Sequence, residues 1–138
     1  MDQTSRFGVS MDQALLDRFD KLIQSQGYAS RSEAIRDLVR EALVQHEWQA
    51  DNVRTVGTVC LVYDHSASDL SQKLNRVQHD SPERVIASLH VHLDEHNCLE
   101  IVVLRGRPSQ IKKLADQLKS LRGVKHAQLV MGTTGKKL

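Results

Sequence analysis

The feature that most constrains this chain of 138 residues is one short strand pattern followed at once by two helix patterns. Residues 5–11 alternate, with Phe7, Val9 and Met11 on one face, as the side chains of a β-strand do. The first 48 residues contain no partner for this strand, and an unpaired strand is not stable in water. The sequence therefore predicts that the strand pairs with the same strand of a second chain in an antiparallel ribbon.

Two amphipathic helices are predicted after the strand. Apolar residues recur at helical spacing from about Asp12, and Gly27 is well placed to end the first helix. The second helix is predicted to begin at residues 30–33, where Ser30 and Glu33 match a capping box. Its apolar stripe consists of Ile35, Leu38, Val39, Ala42 and Leu43.

A two-stranded ribbon is narrow enough to enter the major groove of DNA, and a helix N-terminus can contact phosphates. The predicted DNA contacts are Arg6, Gly8 and Ser10 on the ribbon and Ser30, Arg31 and Ser32 at the second helix. Residues 1–48 contain six Lys or Arg and eight Asp or Glu, a net charge of −2, so the prediction rests on pattern rather than charge. Residues 5–46 resemble the ribbon-helix-helix family. The alternative is a dimerisation module whose outward face is only solvated.

The remainder of the chain predicts a second domain over residues 54–138, after a break in the helical period at residues 46–52 and a hinge at residues 49–53. Its element order is β-α-β-β-α-β, which is the ferredoxin-like plan with both helices on one face of an antiparallel sheet. The predicted fold class is α+β, with a ribbon-helix-helix domain at residues 1–48 and a ferredoxin-like, ACT-type domain after the hinge. The predicted strands are residues 55–63, 85–93, 98–104 and 124–131, and the predicted helices start near Ser66 and Pro108.

A hairpin in this second domain carries three candidate metal ligands. His90 and His92 are two residues apart on a strand and share a face. The apolar positions assigned to the core face are Leu89, Val91, Leu93, Leu99, Ile101 and Val103. That assignment puts both histidines, Cys98 and Glu100 on the non-core face, and parity places Cys98 opposite His92 and Glu100 opposite His90.

Three ligands rarely complete a structural metal site, so we expect a fourth from elsewhere. His79 is predicted on a helix on the core side of the sheet, poorly placed to reach the hairpin of its own chain. If the exposed sheet face packs on a second copy, His79 of the partner subunit can complete the set. Three imidazoles and a thiolate suit Ni(II) or Cu(II) in a planar site and Zn(II) in a tetrahedral one.

Along nearly its whole length the chain resembles the NikR family of nickel-responsive repressors. The resemblance rests on a His in a Gln-His context, a His-x-His strand and a Cys six residues later. It implies metal ligands at His79, His90, His92 and Cys98, a supporting shell at Tyr63, His65 and Glu100, and a structural cation at Glu33 and Asp37. Departures from the family are Gly8, where a polar side chain is usual, and the absence of a multi-histidine run beside His79.

The resemblance also implies one square-planar Ni(II) per subunit and a homotetramer built as a dimer of dimers. Its partner is double-stranded operator DNA, and its role is repression of nickel-uptake genes. Alternatives are a regulator responding to another transition metal such as copper, an ACT-type regulator responding to an amino acid, and a metal-storage or delivery protein that binds no DNA.

Composition and short motifs limit the other classes of protein to which the chain could belong. The chain is 40% hydrophobic and 26% charged, without an apolar run near the roughly 18 residues that a membrane span requires. Its first residues lack the pattern of a signal peptide, and two cysteines are too few for a disulfide framework. We therefore expect a cytoplasmic protein. No nucleophile with an adjacent base and no phosphate loop is recognisable, so we do not expect an enzyme.

Overall fold

A computed structural model of the chain describes residues 3–67, 69–82 and 84–138. The chain divides into two compact units, with the division after Glu41. The element order of the described residues agrees with the predicted α+β class. The elements are α1 (Gln13–Ser25), α2 (Arg31–Ala50), β1 (Thr55–Asp64), α3 (Leu70–His79), β2 (Val85–His92), β3 (Asn97–Gly106), α4 (Pro108–Lys119) and β4 (Val124–Met131).

Capping residues mark both ends of α1 and the start of α2, as the sequence predicts. The side chain of Asp12 accepts a hydrogen bond from the backbone N–H of Leu15 and caps α1. After α1, Gly27 has a φ of +81°, the left-handed conformation in which glycine commonly ends a helix. The hydroxyl of Ser30 accepts from the backbone N–H of Glu33, which forms one half of the predicted capping box.

The first unit leaves most of its apolar stripe exposed in a single chain. Residues 3–12 belong to no helix or strand, and Phe7 in this segment is 76% exposed. Leu15 and Leu22 of α1 and Leu38 of α2 are about half exposed. A strand whose partner belongs to a second chain cannot form its ladder in a single chain, so the ribbon stays a prediction. The uncovered apolar surface favours it.

Helix α2 is longer than the sequence predicted. The expected break in the helical period at residues 46–52 is wrong, because α2 continues to Ala50 and the turn comes at Asp51, with a φ of +52°. Val44 and Trp48 pack in the core of the second unit, which starts at Ala42. Trp48 is 2% exposed and its indole Nε1 donates to the carbonyl of Gly132 at 2.9 Å.

The second unit contains a four-stranded antiparallel sheet in the order β2-β3-β1-β4. This is the strand order of the predicted ferredoxin-like plan. Helix α3 starts at Leu70 rather than near Ser66, and Ser68 of the predicted helix lies outside the described residues. The core between helices and sheet includes Val59, Leu61, Leu70, Leu74, Val102, Leu104, Ile111, Leu114 and Leu118.

The predicted assignment of the two sheet faces is wrong. Cys98 and Glu100 alternate with half-buried neighbours and are buried on the helix-covered face, in line with Val102. Leu89 and its apolar partners instead lie on the opposite face, which no helix covers among the described residues. We call this surface the open face; it includes Leu89, Val91, Leu99, Ile101 and Val103. Both faces of β3 are apolar, so apolar character could not show which face the helices cover.

None of the described helices combines the length and apolar character that a membrane crossing requires.

Candidate metal centre

The turn between β2 and β3 is held by one carboxylate. Asp94 Oδ1 accepts hydrogen bonds from the backbone N–H groups of His96 and Asn97, both at 2.8 Å. The Asn97 side-chain amide also donates to this carboxylate. These bonds, those from Asn97 most of all, lower the pKa of Asp94 to about 2. The charged carboxylate therefore fixes the turn and with it the pairing of the two strands.

The resulting register confirms the predicted opposed pairs: His92 faces Cys98 and His90 faces Glu100. Cys98 Sγ lies 3.4 Å from His92 Nδ1. The Cys98 side chain is fully buried, and burial, followed by the charges of nearby carboxylates, raises the pKa of its thiol. Because a metal is bound by the thiolate, metal binding at Cys98 must release this proton.

His90 is oriented by a buried hydrogen-bonded network. Tyr63 Oη donates to Glu100 Oε2 and lies 3.1 Å from His90 Nδ1. Burial, then the negative charge of Glu100, raises the pKa of Tyr63 far above its ordinary value, so the hydroxyl keeps its proton. Since that proton goes to Glu100, the hydroxyl oxygen accepts from Nδ1–H of His90. His90 is thus left with Nε2 as its free ligand atom.

The same network reaches the end of α3. Gln78 Nε2 donates to the second oxygen of Glu100, Oε1, at 2.8 Å. His79 is the next residue, the last of α3, and its side chain is exposed. No described contact joins His79 to the hairpin histidines of its own chain. The sequence placed α3 and the hairpin histidines on opposite sides of the sheet, but the structure places them on the same side. The predicted reason for the missing contact is therefore wrong.

His65 stands closer to the ligands than the sequence indicated. One ligand atom each from His65, His92 and Cys98 lie within 4.8 Å of one another. His65 follows β1 directly, and the β1–β3 pairing, which sets Asp64 opposite Asn97, brings it to the hairpin. Sequence reasoning gave His65 only a supporting role, because 33 positions separate it from Cys98 and no local spacing signals the contact.

These residues suit a divalent transition metal. Imidazole nitrogens and a thiolate are the ligands that zinc, nickel and copper prefer. The Nδ1 atoms of His90 and His65 are hydrogen-bonded to a tyrosine and to a backbone carbonyl, an arrangement typical of histidines that bind a metal through Nε2. Tyr63 and Glu100 therefore sit where a supporting shell would be needed.

The residues predicted to contact DNA all lie in the first unit. Arg6, Gly8 and Ser10 are exposed. Arg31 is exposed as well, but its Nε and Nη2 atoms each donate to one carboxylate oxygen of Asp20 at 2.7 Å. The Arg31 guanidinium lowers the pKa of Asp20, so the pair stays charged and Arg31 is locally neutralised.

The residues predicted to hold a structural cation are Glu33 and Asp37. Both are exposed, and both oxygens of Asp37 are engaged, one by the hydroxyl of Tyr28 and the other by Arg40 Nη1, each at 3.0 Å. Arg36 lines the same depression. The described side chains do not fit a cation as they stand, because one would have to displace the Arg40 guanidinium.

Both halves of the chain match known protein families. Residues 56–132 match the model of the family described as the NikR C terminal nickel binding domain. Residues 5–46 match that of the ribbon-helix-helix proteins of the copG family. A protein of Geobacter sulfurreducens named as a nickel-responsive regulator is 56% identical over 138 residues, which are 100% of this chain and 99% of that protein. The chain belongs to the NikR family of nickel-responsive regulators.

Other NikR relatives are similar over most of their length. A Pyrococcus furiosus protein with the same name is 52% identical over 131 residues, 95% of each chain. A solved structure of an uncharacterised protein from Thermotoga maritima has a TM-score of 0.51 and 16% identity, and covers 56% of this chain and 96% of that chain. The last likeness concerns the fold alone. NikR membership confirms the resemblance recognised in the sequence.

Proposed function

We propose that this NikR-family protein is a cytoplasmic transcriptional repressor of nickel-uptake genes, and that Ni(II) promotes its binding to double-stranded operator DNA. Each subunit of a homotetramer, a dimer of dimers, holds one Ni(II). The ligands are His90, His92 and Cys98 of one subunit and His79 of the partner subunit. The observation that carries this proposal is the hairpin register that sets His92 against Cys98 beside a tyrosine-oriented His90.

The donor set supports a metal that takes both nitrogen and sulfur ligands. The buried thiol of Cys98 and the imidazoles of His90 and His92 come from one hairpin, so little of this set has to be assembled on binding. The Tyr63 hydroxyl and Glu100 carboxylate hold the His90 ring in its orientation. Ni(II), when bound, supplies bonds that join these side chains to a histidine of a second subunit.

The position of His79 supports a ligand shared between subunits. Its ring is exposed at the end of α3, and it does not belong to the described group of ligand atoms on its own chain. The open face offers an apolar surface for a second copy, with Leu89 58% exposed.

The ribbon and the start of α2 support DNA binding. A two-chain ribbon would expose Arg6 and Ser10 to the bases, and the N-terminal turn of α2 would present backbone N–H groups to phosphates. Gly8 adds no side-chain contact there. A cation at Glu33 and Asp37 stays a prediction, and it requires Arg40 to release Asp37.

DNA binding with and without nickel tests this function. A duplex is first selected from a randomised DNA library in the presence of Ni(II), and its binding is then measured by fluorescence anisotropy at fixed salt. We expect Ni(II) to tighten binding by about 5- to 150-fold, the usual range of coupling between two sites. Cys98→Ala and His79→Ala should lose this effect.

The control is His46→Ala, which removes an exposed histidine of α2 outside the centre. It should keep the full response to Ni(II). Equal DNA affinity of the wild-type protein with and without Ni(II) would contradict the proposed function. A response to Cu(II) but not to Ni(II) would replace nickel by copper as the effector.

A further inference from the structure

We propose that Lys125 is a positioning residue of the metal centre, because it holds from another strand the turn that precedes Cys98. The inference rests on the proposed function in that the hairpin binds Ni(II), and it adds a residue that does not touch the metal. Lys125 is exposed at the start of β4, and its Nζ atom donates to Asn97 Oδ1 at 2.6 Å.

An irregularity in the sheet directs Lys125 to this contact. β4 pairs with β1 in regular register as far as His126, which lies opposite Val62. The next pair is Tyr63 and Val124. Lys125 is therefore the extra residue of a β-bulge. Bulges change the direction of a side chain and are frequent beside functional sites.

The contact of Lys125 crosses a strand. β1 lies between β4 and β3 in the sheet. Neighbouring strands are about 4.8 Å apart, so the two backbones that this hydrogen bond joins are separated by roughly 10 Å. The bond from Lys125 to Asn97 thus ties the metal-binding hairpin to a strand that is not its neighbour in the sheet.

Asn97 transmits the effect of Lys125 to the turn. Its amide has one oxygen and one NH2 group, and with the oxygen occupied by Lys125 the nitrogen is directed to Asp94. Asn97 Nδ2 donates to Asp94 Oδ1 at 3.1 Å and to Oδ2 at 2.8 Å. The backbone carbonyl of Asn97 accepts from the N–H of Leu93 at 2.9 Å. Lys125, Asn97 and Asp94 therefore form a relay that holds the residue directly before Cys98.

The positive charge of Lys125 has the opposite effect on a metal ion. Hydrogen bonds from Ser66 and, to a smaller extent, this charge lower the pKa of Asp64. A cation at this place repels Ni(II) and offsets the attraction of nearby carboxylates. Removal of the charge alone would therefore strengthen nickel binding, whereas loss of the relay would weaken it. The two roles predict changes of opposite sign.

The relay contributes by ordering the turn before the metal binds. Without Lys125 the Asn97 amide can rotate away from Asp94, and the turn has to be ordered when Ni(II) binds. A site that is ordered in advance binds more tightly because this cost is avoided. Lys125 is exposed and acts through two other side chains, so its effect belongs at the lower end of the 10- to 100-fold typical of groups that support metal ligands.

The test measures the dissociation constant of Ni(II) by competition with a chromophoric chelator on the full-length protein. Lys125→Met keeps the apolar stem and removes the ammonium group, and Lys125→Arg keeps both the charge and a donor. Asn97→Ala, alone and combined with Lys125→Met, shows whether Lys125 acts through Asn97. The control is Lys113→Met, which removes the same charge from an exposed position on α4.

We expect Lys125→Met to weaken Ni(II) binding by about tenfold. Lys125→Arg should restore most of this loss, and Lys113→Met should bind like the wild type. In the Asn97→Ala protein, Lys125→Met should add no further loss, a non-additivity that a general contribution to the fold would not produce.

Unchanged or tighter binding by Lys125→Met, or an equal loss with and without Asn97, would overturn the positioning role while leaving the proposed function intact. A wild-type protein that binds no Ni(II) would instead contradict the proposed function, and the role of Lys125 with it.

Discussion

Three histidines near the metal centre each have Nδ1 close to another polar atom of the same chain. His65 meets a backbone carbonyl, His90 meets the hydroxyl of Tyr63, and His92 meets the thiol of Cys98. Contacts of this kind fix the ring orientation without a metal, and in His65 and His90 they leave Nε2 free. The single side chain that does most to orient His90 is Tyr63, because it joins the imidazole to a buried carboxylate.

The substitution Tyr63→Phe should weaken Ni(II) binding by about 10- to 100-fold, the usual effect of losing a group that orients a metal ligand. The ring stays in the core, but His90 loses its partner and Glu100 keeps only the bond from Gln78. Chelator competition measures the effect. A Ni(II) affinity equal to that of the wild type would rule out this role for Tyr63.

A second single-residue prediction concerns Trp48, which anchors the end of α2 in the second unit. Trp48→Ala should lower the free energy of unfolding by about 3–5 kcal/mol, because it leaves a large cavity in a closely packed core. Trp48→Phe should cost only about 1–2 kcal/mol, since the Gly132 carbonyl still accepts from the Thr55 hydroxyl at 3.2 Å.

Urea denaturation of both variants measures this difference. If Trp48→Phe were as destabilising as Trp48→Ala, the hydrogen bond rather than the buried ring would be the main contribution. That result would contradict the packing role assigned to Trp48.

At the scale of elements, the sequence predicted the hairpin register but not the face to which it belongs. Opposed residues in an antiparallel pair follow from parity and the position of the turn, so His92 and Cys98 could be paired from sequence alone. The face could not, because Leu99 and Ile101 on one side of β3 are as apolar as Val102 on the other. The helices settle the question, and their placement depends on the whole domain.

Two other features depended on contacts that sequence patterns do not show. Helix α2 was predicted to end too early. Trp48 follows the polar residues His46 and Glu47 and does not extend the apolar stripe predicted for this helix. His65 was not recognised as a candidate ligand, because the β1–β3 pairing brings it to Cys98 across a long stretch of chain. In contrast, the predicted bounds of β4 agree with the structure. Gly123 marks the start of this strand, and its apolar residues continue to Met131.

The start of α4 leads to a prediction about acid stability. Arg107 at the N-cap makes no side-chain cap bond, and Asp51 instead accepts from the backbone N–H of Ser109 at 2.7 Å. The hydrogen bonds from Ser109 lower the pKa of Asp51. The charged Asp51 carboxylate therefore stabilises the fold at pH values above its pKa in the unfolded chain. This stabilisation is lost as the pH falls through the lower pKa of Asp51 in the folded state.

Asp51→Asn should therefore lower the Tm at neutral pH and reduce the loss of Tm on acidification. Thermal unfolding at several pH values, followed by circular dichroism, measures both changes. A variant whose Tm falls in parallel with the wild type down to acidic pH would show that Asp51 contributes nothing to this pH dependence.

At the scale of the whole molecule, both units leave apolar surface uncovered in a single chain. The first unit exposes Phe7 and the apolar stripes of its helices, and the second exposes the open face. Surfaces of this kind are typical of contacts between protein chains. The ribbon and the open face together would account for an assembly of two dimers.

Leu89→Asp should therefore separate the proposed tetramer into dimers, because it places a charge on the open face. Sedimentation velocity measures the change in mass. The matched control is Ser88→Asp, which adds the same charge to the other face of β2. A Leu89→Asp protein that remains tetrameric would contradict an assembly through the open face.

The most direct measurement is complementation between His79→Ala and Cys98→Ala subunits. Each variant alone should show no nickel-dependent binding to the selected duplex in fluorescence anisotropy. In tetramers refolded from an equal mixture, about a quarter of the sites combine an intact hairpin with an intact His79 from a neighbour, so nickel-dependent binding should return in part. A mixture that binds no better than either variant, or a His79→Ala protein that responds to Ni(II) like the wild type, would contradict a nickel site shared between subunits.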